Sequence, residues 1–170
     1  MIYNIVKYGD PVLETETPIF KEFNTPELDQ LIADMFESMY AARGVGLAAP
    51  QIGLSKRIAV IDVSVGQEEN EKLVVINPEI VGREGIQNSE EGCLSIPGFR
   101  ENVNCPAKVT IKAQNAKGEW YERTGEGMLA RAFIHETDHL LGRLYISRIS
   151  TLKRDLIKRK IRKLQKAGEW

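Results

Sequence analysis

The β-branched runs of this chain lie together in its middle, and helical periodicities lie on either side of them. No regular strand–helix alternation links the two. Arg57 to Val63 and Leu73 to Ile76 read as strands joined by the polar, Glu-rich turn Gly66 to Lys72. Lys108 to Ala113 and Trp120 to Arg123 read as a second pair, joined through Asn115, Lys117 and Gly118. Before them, Leu28, Leu31, Ile32, Met35, Phe36, Met39 and Tyr40 fall at helical spacing behind a Thr25 cap, with Pro26 at the first helical position. That helix runs to about Ala42, and Gly44 fits a stop. A second helix covers roughly Gly127 to Leu141, and a third Thr151 to Lys166. This order predicts an α+β fold with antiparallel or mixed sheets. The sheets pack around a central helix, flanked by an N-terminal and a C-terminal helix.

With 170 residues, 42% of them apolar, the chain can bury one core but not two ordinary ones. Neither a repeat nor a linker divides it, so residues 1–170 form a single catalytic domain in this reading. A formal charge of −1 gives no global reason to expect DNA or a membrane as partner. Met1 to Pro11 lacks the pattern of an export signal, and no apolar run reaches bilayer-spanning length, so a soluble cytoplasmic protein is expected. There Cys93 and Cys105 stay thiols, available for metal.

The second helix carries His135-Glu136-Thr137-Asp138-His139, an H-E-x-x-H pattern. Residues four apart share a helix face, so the two imidazoles can grip one ion. An ion there lowers the pKa of a bound water, and Glu136 can accept its proton as the water attacks a carbonyl carbon. Two histidines leave such a site one protein ligand short. Tyr145 stands where a downstream third histidine would fall, and the later acids Asp155 and Glu169 are poorly placed. The missing ligand is therefore sought upstream, where Cys93 in Glu90 to Gly98 is the first candidate and Cys105, followed by Pro106, the rival. These ligand types on their own suggest zinc. Gly44 to Gln51, rich in glycine and alanine, is either a tight helix-to-strand connection or a loop that offers main-chain groups to an extended peptide. The Gln51 side chain can donate to an oxyanion.

Taken in order, Gly44 to Gln51, Glu91 to Ser95 and His135 to His139 resemble the three motifs of the peptide deformylase family. Val6 to Leu13 and the basic terminal helix are similar to further parts of it, so the resemblance covers nearly the whole chain. It implies hydrolytic removal of the formyl group from the N-terminal formylmethionine of nascent polypeptides, with release of formate. It implies that Cys93, His135 and His139 bind one divalent ion per chain, ferrous iron by preference, with zinc, nickel or cobalt able to replace it. Glu136 would be the general base, and Gln51 and the backbone N–H of Leu94 would stabilise the oxyanion. Val45 and Gly46 would pair with the peptide backbone. Met128, Ala132 and the stem of Arg131 would receive the methionine side chain, with Glu91 and Arg100 at the pocket margin. Ile134 departs from the family's usual glutamine and Cys105 from its usual basic residue, which bears on hydrogen bonding near the ligands rather than on the reaction class.

Residues 148–166 hold nine Lys or Arg and one acid, a net +8 that leaves −9 on the rest of the chain. Ile149, Leu152, Leu156, Ile157, Ile161 and Leu164 add an apolar stripe that should dock part of this basic helix. Its charged face is either simply solvated or, as the resemblance implies, a contact for ribosomal RNA. A peptidase of another kind and a non-catalytic metal or RNA module are the competing readings. The missing downstream ligand speaks against the first, Glu136 and Gln51 against the second.

Overall fold

The computed structural model describes residues 1–170. The three helices fall where the periodicity places them: α1 at Pro26–Ala41, α2 at Met128–Leu140 and α3 at Thr151–Lys166. The Thr25 hydroxyl accepts the Leu28 N–H, a cap that stabilises a helix by about 1 kcal/mol. Gly127 caps α2 with φ 59°, a left-handed conformation that a side chain would disfavour.

Seven strands lie between α1 and α2. They are β1 (Gly46–Ala48), β2 (Ile58–Ile61), β3 (Leu73–Glu84), β4 (Gln87–Cys93), β5 (Ile96–Cys105), β6 (Lys108–Gln114) and β7 (Trp120–Glu126). Five form one sheet in the order β1-β2-β3-β6-β7, while β4 and β5 form a separate ribbon. Every pairing is antiparallel, so the mixed alternative does not occur. Both expected hairpins are present as β2–β3 and β6–β7, and β3 runs eight residues past Ile76. That extension crosses Pro78, which lacks an N–H for the ladder. The register shifts between Ile76 and Glu79, and Asn77 turns to φ 51° there, which takes the proline out of the pairing. The β4–β5 ribbon and the short β1 have no counterpart in the predicted elements.

The sheet is buried on both faces near its β1–β2 edge. Along β2, Ala59 and Ile61 point to α2 and pack with Val75, Ile111, Ala130 and Phe133. Ile58 and Val60 point the other way, to Met35, Phe36 and Met39 of α1. Alternation in one strand thus joins α1, sheet and α2 into three layers. A third apolar cluster lies beyond α2, where Ile96 and Val103 of β5 meet Tyr145, Ile146 and, from α3, Ile157 and Ile161. Leu152 and Leu156 remain exposed, so only part of the α3 stripe docks. No helix is long and apolar enough to cross a membrane.

Candidate active site

Helix α2 turns one face to the sheet and the other to the ribbon. Ala130 and Phe133 are fully buried against the sheet, and His135 and His139, one turn apart, look out towards β4. Their Nε2 atoms are 3.0 Å apart, and Cys93 Sγ at the end of β4 is 3.4 Å from His139 Nε2. These three atoms lie within 4.8 Å of one another and form the only cluster of possible metal ligands in the structure. Cys105 is outside it, buried at the far end of β5 with its thiol towards the Pro106 carbonyl.

Donors about 2.0–2.3 Å from a tetrahedral ion stand about 3.3–3.7 Å from each other. The His135–His139 and Cys93–His139 separations come within a few tenths of an ångström of that, and a thiolate with two imidazoles suits a transition metal while leaving a position open. The residues fit a divalent ion. Glu91 Oε1 is 3.2 Å from His135 Nδ1, placed to accept a hydrogen bond from it, an arrangement in which Nε2 would be the nitrogen offered to an ion. Tyr145, buried, stacks on the same ring with a 6.4 Å centroid separation and donates its hydroxyl to the Phe99 carbonyl. Nothing plays Glu91's part for His139, whose buried Nδ1 has no partner.

Burial opposes charge on the His135 ring, but hydrogen bonds to Cys93 and Glu91 and the nearby Glu136 outweigh it and raise its pKa well above the ordinary value. Burial, helped by His135, holds His139 well below that value, which favours the neutral ring. Burial pushes the Glu136 carboxyl up to about 7, with His135 opposing and Glu91 and Asp138 adding to the rise. Its Oε1 has no hydrogen-bond partner. A carboxylate that titrates near neutrality with a free oxygen is suited to exchanging protons at pH 7.

Gln51 is held by its own backbone turn: its Oε1 accepts the Ala48 N–H at 3.0 Å. That leaves Nε2 to face Cys93 Sγ at 3.6 Å and Ser95 Oγ at 3.3 Å. Gly46, at the start of β1, lies against Glu136, where an added Cβ would come 2.5 Å from Oε2. The Val45 carbonyl accepts the Asp62 N–H at 2.8 Å, on the β2 side. By strand alternation the Gly46 groups face the other way, along an edge of the sheet that no strand covers.

That edge and the ribbon are the walls of a cleft of about 540 Å³ with His135 and Glu136 at its base. Leu94, Met128, Arg131, Ala132, Glu91 and Arg100 all line it. Arg131 donates to Gln87 Oε1 at 2.7 Å and to the Glu90 carbonyl, and Arg100 pairs with Glu90 at 2.6 Å. Glu91 is buried behind His135 rather than displayed at the rim. Sequence reasoning missed Tyr145, Ser95, Gln87 and Phe99 as parts of this centre. Ser95 ends the Glu91 to Ser95 motif and Tyr145 stands where a downstream third ligand was sought, which were the signals available for two of them. Asp138, next to His139 in the same helical motif, forms a two-pronged ion pair with Arg148 at 2.6 and 2.9 Å and ties α2 to the approach to α3.

A family model described as polypeptide deformylase matches residues 2–155. A peptide deformylase of Acidobacterium capsulatum is 61% identical over 170 residues, covering 100% of this chain and 99% of the relative. One of Pseudomonas aeruginosa is 47% identical over 164 residues, 95% of each chain. A crystal structure of a peptide deformylase from Legionella pneumophila superposes with a TM-score of 0.89 at 43% identity, covering 99% of this chain and 98% of that one.

Proposed function

This chain belongs to the polypeptide deformylase family of metal-dependent hydrolases, and from that premise we propose how its own residues remove the formyl group from N-terminal formylmethionine. The observation that carries the reading is one cluster: the Cys93, His135 and His139 donor atoms lie within 4.8 Å of one another, Cys93 and His135 line a cleft, and Glu136 and the Gln51 amide stand beside them. Cys93, His135 and His139 hold one Fe²⁺ per chain; zinc, nickel or cobalt fit the same donors. When bound, the ion supplies Lewis acidity, which polarises the formyl carbonyl and acidifies water.

Glu136 takes the proton of the attacking water and returns it to the departing amine as the carbon–nitrogen bond breaks. The Gln51 amide and the Leu94 backbone N–H donate to the oxygen on which charge develops. Gly46, with Val45 beside it, pairs with the peptide backbone as an added strand would. Met128, Ala132 and the Arg131 stem receive the methionine side chain, with Arg100 at the pocket's margin and Glu91, set deeper than the margin, fixing the His135 ring. The site of action is the cytoplasm, where nascent formylmethionyl chains emerge. On α3, Lys153 pairs with Glu101, and the remaining basic side chains form the surface we assign to ribosomal RNA, a contact that should weaken steeply with salt.

The test is anaerobic metal analysis alongside formate release from formyl-Met-Ala-Ser and acetate release from its acetylated analogue. Formate from the first without comparable acetate from the second supports the reading. Protein with a full complement of metal and no formate release overturns it.

A further inference from the structure

The cleft wall contains six charged side chains besides the ligands: Arg43, Glu90, Glu91, Arg100, Arg131 and Glu136. Arg100 is neutralised by Glu90 at 2.6 Å, Arg131 lies 3.9 Å from Glu91, and Glu136 belongs to the reaction centre. Arg43 is exposed and forms no ion pair. It sits where the chain leaves α1 and turns into β1, with φ 59° and its N–H bonded to the Tyr40 carbonyl. Its position is thus fixed by the turn, although its side chain is free.

The direction in which a substrate must run follows from burial. From Leu47 to Ile52 every residue is buried, so a chain that starts opposite Gly46 and Glu136 cannot extend that way. It can extend only past Val45 and Gly44 to Arg43, all of which line the cleft. Such a peptide is antiparallel to β1. At about 3.3–3.4 Å per residue, a first residue opposite Gly46 brings the second opposite Val45, the third opposite Gly44 and the fourth opposite Arg43.

We infer that Arg43 selects among nascent chains by the charge of their fourth residue, favouring acidic side chains over basic ones. This inference rests on the deformylase reading of the same site and adds the substrate class to it. An exposed ion pair is a modest contact, so the expected preference for Glu over Lys is about three- to tenfold in kcat/KM, falling as salt is raised.

The experiment compares formate release from formyl-Met-Ala-Ser-Glu, formyl-Met-Ala-Ser-Lys and formyl-Met-Ala-Ser-Ser by the metal-loaded enzyme and by its Arg43→Gln and Arg43→Glu variants. Ratios between peptides are taken within each enzyme, so a general loss of activity cancels. The Glu/Lys ratio should exceed one in the parent, approach one in Arg43→Gln and invert in Arg43→Glu. Equal rates for the two peptides in the parent, or a ratio that survives Arg43→Gln, overturns the inference while leaving deformylation intact. No formate from any of the three peptides overturns the activity, and the inference falls with it.

Discussion

Replacing Gly46 by alanine probes the general base without touching it. The added methyl would stand 2.5 Å from Glu136 Oε2, 2.9 Å from Cδ and 3.2 Å from Cγ, while ordinary contact begins near 3.4 Å. Something must retreat by about 1 Å. Strand β1 is poorly able to do so, because the Val45 carbonyl is bonded to Asp62 and Leu47 and Ala48 are fully buried. The Glu136 carboxyl, with Oε1 unpartnered, is the softer side and moves. A misplacement of about 1 Å at a reacting group costs on the order of 100-fold in rate, or about 2.7 kcal/mol in activation free energy. The edge N–H and C=O of Gly46 survive the substitution, so KM should change little and kcat should carry the loss. Cys93, His135 and His139 are untouched, so metal content should equal that of the parent. Steady-state formate release, metal analysis and thermal unfolding on the same preparation read all three quantities. A Gly46→Ala enzyme with full metal content and a kcat within about threefold of the parent would refute the reasoning.

Gln51→Ala should lower kcat by about 100- to 1,000-fold through loss of the oxyanion donor. It should also cost about 1–3 kcal/mol of stability, because the buried Ala48 N–H loses its acceptor; steady-state kinetics and urea unfolding check the two effects separately. Removing the metal with a chelator should lower the unfolding temperature, and re-adding Fe²⁺ or Zn²⁺ should restore it. With free ion at about a thousandfold its Kd, the stabilisation is about 4 kcal/mol, and an unchanged unfolding temperature after chelation would contradict the assigned ligands. Asp62 has no solvent exposure. Burial would raise its pKa, but hydrogen bonds from Ser64, Tyr40 and Gly66 win and hold it below the usual carboxylate range. A depressed carboxyl stabilises the fold above its unfolded pKa and loses that contribution as pH falls through the folded one. Asp62→Asn should therefore be less stable than the parent at pH 7, with the gap closing below about pH 4, as urea midpoints at the two pH values would show.

What could be read from the sequence, and what could not, divides along physical lines. The helices were legible because each buries one stripe. The Thr25 cap and Gly127 stop-and-start lie where local chemistry alone puts them. Strands β2 and β6 were legible because Ile58–Ile61 and Val109–Ala113 are dense in β-branched or apolar residues that the core requires. The β4–β5 ribbon was not: Asn88, Ser89, Glu90 and Glu91 lie on a two-stranded arm with little apolar burial, so no hydrophobic period marks it. Strand β1 is only three residues long and owes its form to β2 rather than to propensity. Pro78 concealed the second half of β3 because the bulge that excuses it is a tertiary feature. In the candidate site, His135, Glu136 and His139 were visible from spacing alone, because helix geometry fixes their relation. Cys93 could be proposed only as a missing ligand. The contact of Glu91 with His135 and the stacking of Tyr145 on it link elements far apart in the chain, and no local pattern encodes them.

Glu136→Ala, assayed against the parent for bound metal and for formate release from formyl-Met-Ala-Ser, tests the central claim most directly. Glu136 is not one of the ligands, so the variant should hold metal at the parent's stoichiometry. Its rate should fall by at least the 100- to 10,000-fold typical of a lost acid–base group. A metal-replete Glu136→Ala enzyme that releases formate at the parent's rate would contradict the account.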